Sequence, residues 1–289
     1  MNTTPAIDLD SLRQAIGRET TATDTVTPQL CRAFLATLDL GRLEAGEGEA
    51  APLAIHWCLA QPTAPMSELG PDGHPARGGF LPAVPLPRRM WAGGKLTFHA
   101  PIRVGDTVTR VSRIEDVTVK EGRTGTLCFV TVGHTVSTAT GIAVEERQDI
   151  VYRGAEQAAA SKPESVRSGA APAAARVAEH SRAVMADPVL LFRYSALTFN
   201  GHRIHYDQPY ATGVEGYPGL IVHGPLQATL LLALAEDLRG TPRTFSFRGV
   251  SPLFDGASFS VNAAASEGGL DLWTADRHGR ETMTASAQW

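Results

Sequence analysis

Cysteine is scarce in this sequence of 289 residues. It has three, Cys31, Cys58 and Cys128, which are far apart and form no CxxC pair. Three widely spaced cysteines are not typical of the disulfide framework of a small secreted domain. The absence of a CxxC pair argues against a structural zinc site. We therefore expect reduced thiols and a cytoplasmic protein.

Long hydrophobic runs and an excess of positive charge are also missing. The longest apolar stretch, Ala228 to Ala235, is far shorter than the roughly 20 residues that cross a bilayer. The N-terminal residues have no basic start followed by an apolar core, so we expect no signal peptide. A formal net charge of −4 predicts that neither nucleic acid nor a membrane is a partner.

One segment divides the chain. Residues 154–182 are rich in Ala, Ser and Pro and contain no aromatic residue, which is typical of a linker. The division predicts an N-terminal domain at 1–153 and a C-terminal domain at 183–289. Both have an ordinary domain size, and the 43% of hydrophobic residues is enough for a full core.

The two parts show a weak internal repeat. Each ends with three alternating β-branched or aromatic runs separated by glycine-containing turns, which predicts an antiparallel meander. Before the second meander, residues 223–240 carry leucines at helical spacing on nearly all sides, so we expect a deeply buried helix. Pro225 suits its first turn and Gly240 its end. The predicted fold is α+β, with a curved antiparallel sheet wrapping a central helix in each part.

Polar residues are concentrated just before that helix. The stretch TFNGHRIHYD (Thr198 to Asp207) holds two histidines, and PGLIVHGPL (Pro218 to Leu226) holds a third. Together these stretches resemble the MaoC-like, hydratase-2 type double hotdog family. Within it, they are most similar to the group of mesaconyl-C4-CoA hydratase, itaconyl-CoA hydratase and the mitochondrial 3-hydroxyacyl-thioester dehydratases. The segment GGFLPAVPLPRRMWAGGKLTFHAPIRVGD resembles the degenerate N-terminal hotdog of the same family.

The resemblance implies a catalytic loop in which an Asp precedes a His by five residues. Here His205 occupies the His position, but Asn200 stands where the family has Asp. An amide cannot exchange a proton at neutral pH, so we expect Asn200 to hold a water molecule. Asp207 is a candidate substitute acid, on grounds of sequence proximity alone. His202 is expected to face solvent or the loop backbone.

The implied reaction is the reversible hydration of an enoyl-CoA, which needs a base, a held water and donors for an oxyanion. His205 suits the first need because imidazole titrates near neutral pH. The unpaired N–H of Gly224, at the start of the helix, suits the last. Thr229 is one turn further and is expected to support the loop from below.

The substrate is expected to be short and branched or dicarboxylic, such as mesaconyl-C4-CoA or itaconyl-CoA. Arg88 and Arg89 are candidate contacts for its phosphates or carboxylate, with ordinary surface arginines as an equal alternative. His223 is a further candidate contact, although capping the helix or bonding a tyrosine suits it better. We expect no metal and no cofactor, and a homodimer is possible. Residues 70–80 suggest a flexible loop at the pocket mouth.

Two other functions remain open. A thioesterase of the same fold would place a carboxylate on or near the central helix, whereas Glu236 and Asp237 are near its C-terminal end. A non-catalytic acyl-thioester-binding protein would explain Asn200 as the remnant of a lost site.

Overall fold

Ten strands form one antiparallel sheet. The computed structural model describes residues 7–41, 46–122, 125–154 and 176–289. The strands in chain order are β1 (Glu19–Thr25), β2 (Arg88–Phe98), β3 (Thr107–Gly122), β4 (Gly125–Thr138), β5 (Gly141–Arg153), β6 (His180–Ala186), β7 (Thr244–Gly249), β8 (Ala257–Ser266), β9 (Gly269–Ala275) and β10 (Glu281–Gln288). Their order across the sheet is β1-β3-β4-β5-β2-β7-β10-β9-β8-β6.

This strand order is symmetric about the centre of the sheet. The first half runs inwards as β1-β3-β4-β5-β2 and the second as β6-β8-β9-β10-β7, and β2 pairs with β7 in the middle. The two predicted meanders are β3–β4–β5 and β8–β9–β10, and every ladder in them is antiparallel. The predicted repeat is therefore present as two five-stranded halves of one sheet, joined where β2 pairs with β7.

Five α-helices accompany this sheet in the described residues. They are α1 (Leu9–Arg13), α2 (Pro28–Leu38), α3 (Pro188–Leu197), α4 (Gln208–Gly213) and α5 (Gly224–Arg239). Helix α5 is the helix predicted from the leucine pattern, with Pro225 in its first turn and Gly240 at its C-terminal cap. Ten consecutive residues, 226–235, are buried, because apolar side chains occupy nearly all of its faces.

The repeat extends to α2 and α3, but not to α5. Helices α2 and α3 both follow an edge strand and start with a capping side chain, Thr27 or Asp187, and then proline. Between α2 and β2, the described chain has only two short 3-10 turns, Ile55–Cys58 and Met66–Glu68. The expectation of a central helix in both halves is thus wrong for the first. Eight prolines between residues 52 and 87 exclude a long helix there.

The predicted linker is too long at its C-terminal end. Residues 155–175 are outside the described part of the chain, but its last three residues, His180 to Arg182, pair with β8. An exposed edge strand needs few apolar side chains, which is why composition alone did not reveal it.

The main hydrophobic core is shared by both halves. Phe34 of α2 and Leu96 of β2 belong to the same buried cluster as Leu231 of α5 and Phe245 of β7. The three cysteines are buried and unpaired, as expected. Within the described ranges, no helix is both long and apolar enough to cross a membrane.

Candidate active site

A cleft of about 2910 Å³ lies between the two halves of the chain. Its walls include β2 and the loop around residues 70–82 from the first half. The second half contributes the loop at 198–206 and the start of α5. The polar stretch singled out in the sequence therefore lies on the wall of this cleft.

The backbone of the 198–206 loop is shaped by Asn200. Helix α3 ends at Leu197, and Phe199 adopts a left-handed conformation with φ 49°. Asn200 Oδ1 then accepts a hydrogen bond from the backbone N–H of His202 at 3.0 Å. Because a backbone N–H requires an acceptor, the side-chain oxygen is committed to the loop. The amide nitrogen of Asn200 remains available as a donor to a ligand or a water in the cleft.

His205 is buried on the cleft wall as a neutral base. Its Nδ1–H donates to the carbonyl of Ile221 at 2.8 Å, so Nε2 carries the lone pair. No other residue of the described chain hydrogen-bonds that Nε2. Burial lowers the pKa of His205 to about 4, although the Ile221 carbonyl favours the charged form. The imidazole is therefore unprotonated at neutral pH and can accept a proton from water.

His223 is behind His205 and away from the cleft. The two rings stack with centroids 3.6 Å apart and planes 18° apart. His223 is fully buried, and its Nε2 is 2.8 Å from Ser195 Oγ. Burial, with the neighbouring His205 and His202, holds its pKa well below the usual range. The candidate substrate contact at His223 is therefore wrong, because the ring packs against the base and fixes its plane.

Gly224 begins α5 and faces the cleft. Within the described chain its backbone N–H has no hydrogen-bond partner, as expected for the first residue of a helix. A Cβ there would meet Trp91 Cε3 at 3.6 Å, an ordinary contact, so the protein itself does not require glycine. The missing side chain instead leaves space in the cleft next to an unpaired N–H and the positive end of the helix dipole.

Thr229 supports a helix, not the loop. Its hydroxyl donates to the carbonyl of Pro225 at 2.8 Å and is 3.1 Å from the hydroxyl of Tyr194 on α3. The expected contact with the catalytic loop from below is replaced by this α3–α5 contact, since a threonine inside a helix commonly bonds the carbonyl four residues earlier. Thr229 therefore aligns the two helices that carry His223 and Ser195.

Asp207 cannot act as the substitute acid. One oxygen accepts from the guanidinium of Arg203, at 2.7 Å from Nη2, and the other caps α4 through the N–H of Tyr210. Hydrogen bonds from Arg203 hold the pKa of this carboxyl below its usual value. Both oxygens are thus engaged outside the cleft, and the hypothesis based on sequence proximity is wrong.

His202 lies between two other histidine rings. Its ring centre is 5.4 Å from that of His205 and 4.1 Å from that of His74 in the first half. It is only half-buried, but burial and these two neighbours hold its pKa far below the usual range. The expectation that His202 faces solvent or the backbone is wrong, because the loop at 70–74 packs against it.

Asp72 and His74 are site residues that sequence reasoning missed. The segment around them was expected to be flexible, yet Arg203 N–H donates to the carbonyl of Asp72 at 2.9 Å. The available signal was the spacing Asp-Gly-His within a glycine-rich stretch. Asp72, His74 and His202 offer ligand atoms within 4.8 Å of one another and could hold a metal ion.

Arg88 and Arg89 have different surroundings. Arg88 donates to the carbonyl of Glu215 at 2.6 Å and to Tyr217 at 3.3 Å, and its Nε is 3.4 Å from the Glu215 carboxylate. Its charge is already paired, so Arg88 connects the two halves and is a poor candidate for substrate binding. Arg89 hydrogen-bonds Tyr152 and has no carboxylate partner among the described residues.

The cleft as a whole favours an anionic ligand. Nine arginines but only four acidic residues line it, and two of those acids, Glu215 and Asp276, already pair with arginine. In a cleft with low-dielectric walls, such an excess raises the local concentration of anions. Phosphates or carboxylates are thus the groups that this surface would attract.

Comparison with known proteins gives one family and one fold. The family model described as hydroxyacyl-thioester dehydratase type 2 matches residues 54–255. The chain is 42% identical to mesaconyl-C(4)-CoA hydratase of Chloroflexus aurantiacus, covering 94% of this chain and 96% of that protein. It resembles the crystal structure of HtdX from Mycobacterium tuberculosis with TM-score 0.64 and 21% identity, covering 94% and 99% of the two chains.

A second structure from Mycobacterium tuberculosis, described as having a double hotdog fold, matches with TM-score 0.56 and 15% identity. The match covers 94% of this chain and 95% of that one. At this identity the likeness concerns the fold alone, and the predicted α+β double hotdog class is confirmed.

Proposed function

Because the chain belongs to the hydroxyacyl-thioester dehydratase type 2 family, we propose that it hydrates a short dicarboxylic enoyl-CoA, with mesaconyl-C4-CoA as the first candidate. The family agrees with the reaction class predicted from the sequence, addition or removal of water at an acyl thioester. The acyl chain, the CoA carrier and the roles of individual residues are the proposal. It depends most on one observation, a buried neutral His205 whose Nε2 is unpaired on the cleft wall.

The proposed reaction uses three groups on one wall. The amide nitrogen of Asn200 donates to a water molecule and holds it for attack on Cβ. His205 Nε2 takes a proton from that water as the C–O bond forms. The electrons of the double bond move to the thioester oxygen, and the N–H of Gly224 stabilises the negative charge there. Protonation of Cα completes the hydration.

The substrate proposal depends on charge. A dicarboxylic enoyl-CoA carries a free carboxylate close to its reacting carbons, so its partner should be near the base. Arg89 is the candidate because it lines the cleft and its charge acts on His74 and on His202, the ring beside His205. A guanidinium suits a carboxylate because it can donate two parallel hydrogen bonds. Itaconyl-CoA satisfies the same requirement and remains the second substrate candidate.

The two alternatives have less support. A thioesterase needs a carboxylate that activates water at the thioester carbonyl, but Glu236 and Asp237 are in the last turn of α5, at the opposite end from Gly224. A non-catalytic binding protein would not need a buried histidine held in one tautomer. The proposal also includes a cytoplasmic location and a homodimer, which stay predictions.

The decisive experiment follows hydration and hydrolysis together. Purified protein is mixed with mesaconyl-C4-CoA, itaconyl-CoA or crotonyl-CoA, and loss of the enoyl absorbance is recorded alongside release of free thiol. We expect absorbance loss without thiol, abolished by His205→Gln and unaffected by His99→Gln, an exposed histidine paired with Glu145. Thiol release would identify a thioesterase, and binding without either signal would indicate a non-catalytic site.

Arg89 is tested by comparing two substrates. Loss of charge-assisted hydrogen bonds costs about 1.5–3 kcal/mol, so Arg89→Gln should raise KM for mesaconyl-C4-CoA roughly 10- to 100-fold. Crotonyl-CoA lacks the carboxylate, and its KM should change little. Arg147→Gln, which removes an exposed arginine beside Asp149, is the matched control. An equal rise in KM for both substrates would assign Arg89 to CoA rather than to the acyl carboxylate.

A further inference from the structure

Four histidine rings form a row that begins on the cleft wall and ends behind it. From the first half to the second they are His74, His202, His205 and His223, and neighbouring ring centres are 4.1, 5.4 and 3.6 Å apart. The proposed function uses only His205. It leaves open which group protonates Cα, because Asn200 stands where the family would supply a carboxylate.

The first-half end of this row is held by close backbone packing. Arg203 donates its backbone N–H to Asp72 O and its Nη1 to Pro71 O. A Cβ on Gly73 would be 2.0 Å from Gly201 O, and one on Gly201 would be 2.7 Å from Gly73 O, so both positions require glycine. Two loops that are 128 residues apart in sequence are thus fixed against each other.

His74 is the ring in the row that has a carboxylate partner. Asp72 Oδ1 accepts the backbone N–H of His74 at 3.1 Å, and Oδ2 accepts its Nδ1–H at 3.0 Å. This arrangement orients the ring, directs its Nε2 away from the carboxylate and stabilises an imidazolium. Within the described chain, no carboxylate lies within hydrogen-bond or ion-pair distance of His202, His205 or His223.

The distance suits a second proton-transfer group. The ring centres of His74 and His205 are at most 9.5 Å apart, the sum of their distances to His202. Each group must approach the atom with which it exchanges a proton to about 3 Å. Both rings line the cleft, so each can face one of the two reacting positions of a substrate held there.

We propose that His74, held by Asp72, is the second acid–base group of this site and exchanges a proton with Cα. The inference depends on the proposed hydration. In that direction, His205 Nε2 accepts a proton from water as the Cβ–O bond forms, and the His74 imidazolium gives its proton to Cα. His205 then loses its proton to water in the cleft and His74 takes one up, so one water molecule is added in total. Dehydration reverses both transfers.

The electrostatics of the row support this assignment. Burial lowers the pKa of His74 from 6.5, the Asp72 carboxylate raises it, and Arg89 and Arg77 lower it. Burial acts on His205 without a carboxylate to oppose it and lowers its pKa to about 4. Asp72 thus favours a proton on His74, the ring of the pair that has a carboxylate partner. Both directions of the reaction need this singly protonated pair, so the pH profile of kcat/KM should be bell-shaped.

The test compares pH profiles of three variants with wild type. As the pH falls through about 4, His205 gains a proton and activity is lost. As the pH rises through the pKa of His74, below 6.5, the acid is lost and activity falls again. We expect His74→Gln to lower kcat by about 10²- to 10⁴-fold with little change in KM and to remove the alkaline limb. Asp72→Asn, which keeps the imidazole, should move that limb to lower pH. His99→Gln, whose histidine has a carboxylate partner outside the cleft, should behave as wild type.

A second measurement is independent of turnover. Histidine-ring NMR of the wild-type protein should show His74 as the first ring of the row to take up a proton as the pH is lowered. If His74→Gln kept wild-type kcat and the alkaline limb, the inference would be overturned while the hydration itself stood. Loss of wild-type activity on chelation, restored by Zn²⁺, would also overturn it and make Asp72, His74 and His202 a metal site. Failure of the wild type to hydrate any of the three thioesters would instead refute the proposed function.

Discussion

Replacing Gly201 by alanine should separate activity from stability. The new Cβ would be 2.7 Å from Gly73 O, whereas ordinary contacts start at 3.4 Å, so the two loops must move apart by about 0.7 Å. Gly201 has no positive φ, in contrast to Gly73 at 86°, so the effect is steric and not backbone strain. Overpacking of this kind costs about 1–3 kcal/mol of stability.

The effect on activity should be larger than the effect on folding. A misplacement of about 1 Å in a reacting group costs roughly 10²-fold in rate, so we expect kcat to fall about 10- to 100-fold. Steady-state hydration of the enoyl-CoA and thermal unfolding would be measured on the same preparations. Moving the two loops apart would change the position of His74 relative to His205, and therefore the rate of the chemical step. KM should change less than kcat.

Gly79→Ala is the matched control for this experiment. Gly79 belongs to the same first-half segment and also lines the cleft, but no atom is within 4 Å of its added Cβ and its φ is not positive. It should keep wild-type kcat and stability. A Gly201→Ala enzyme with unchanged kcat would refute the reasoning that close packing of the two loops positions the catalytic groups.

Three further predictions concern other groups. Activity should decline as the pH falls through about 4, because His205 must be neutral to accept a proton, and a titration of kcat/KM checks this. Glu146→Gln should lower the free energy of unfolding by about 1–3 kcal/mol in denaturant titrations, since a neutral amide would replace the buried carboxylate, which accepts a charge-assisted hydrogen bond from Trp57 Nε1 at 3.0 Å. Burial opposes ionisation of Glu146, but its neighbours hold its pKa below 4.5, so the wild type should lose this contribution at acid pH and the variant should not. Thr229→Val should cost about 1–3 kcal/mol by leaving the Tyr194 hydroxyl unpaired, and adding Tyr194→Phe should recover part of it in the same titrations.

Local patterns in the sequence were enough to predict the elements whose side chains are buried at regular spacing. The alternating runs of both meanders and the leucines of α5 bury their side chains at regular spacing, so periodicity identified them. The motif around His205 and the start of α5 at Gly224 are only 19 residues apart in the chain, so the sequence also predicted that they lie close together. The edge strand β6 was not predicted, because an exposed edge strand needs little hydrophobic patterning.

Contacts between segments that are distant in the chain could not be predicted from the sequence. Nothing in the local sequence shows that Asp72 meets Arg203, because that contact is made by backbone groups of two irregular loops. Neighbouring residues of a strand point to opposite sides, so Arg88 and Arg89 had to differ, but only the fold shows which one meets Glu215. The prediction of Asp207 as a substitute acid was wrong for the same reason, since closeness in sequence does not determine which way a carboxylate points.

The asymmetry between the two halves accounts for the position of the cleft. A second buried helix like α5 would occupy the space over the first half of the sheet. The proline-rich segment at 52–87 takes its place, and part of it lines the cleft and delivers His74 to the catalytic loop. The half without a central helix thus supplies one wall of the site and the half with it supplies the oxyanion end. All the side chains with a proposed role belong to one chain, so the chemistry itself gives no reason for a partner subunit, and a homodimer would have to be explained by something other than completing this site.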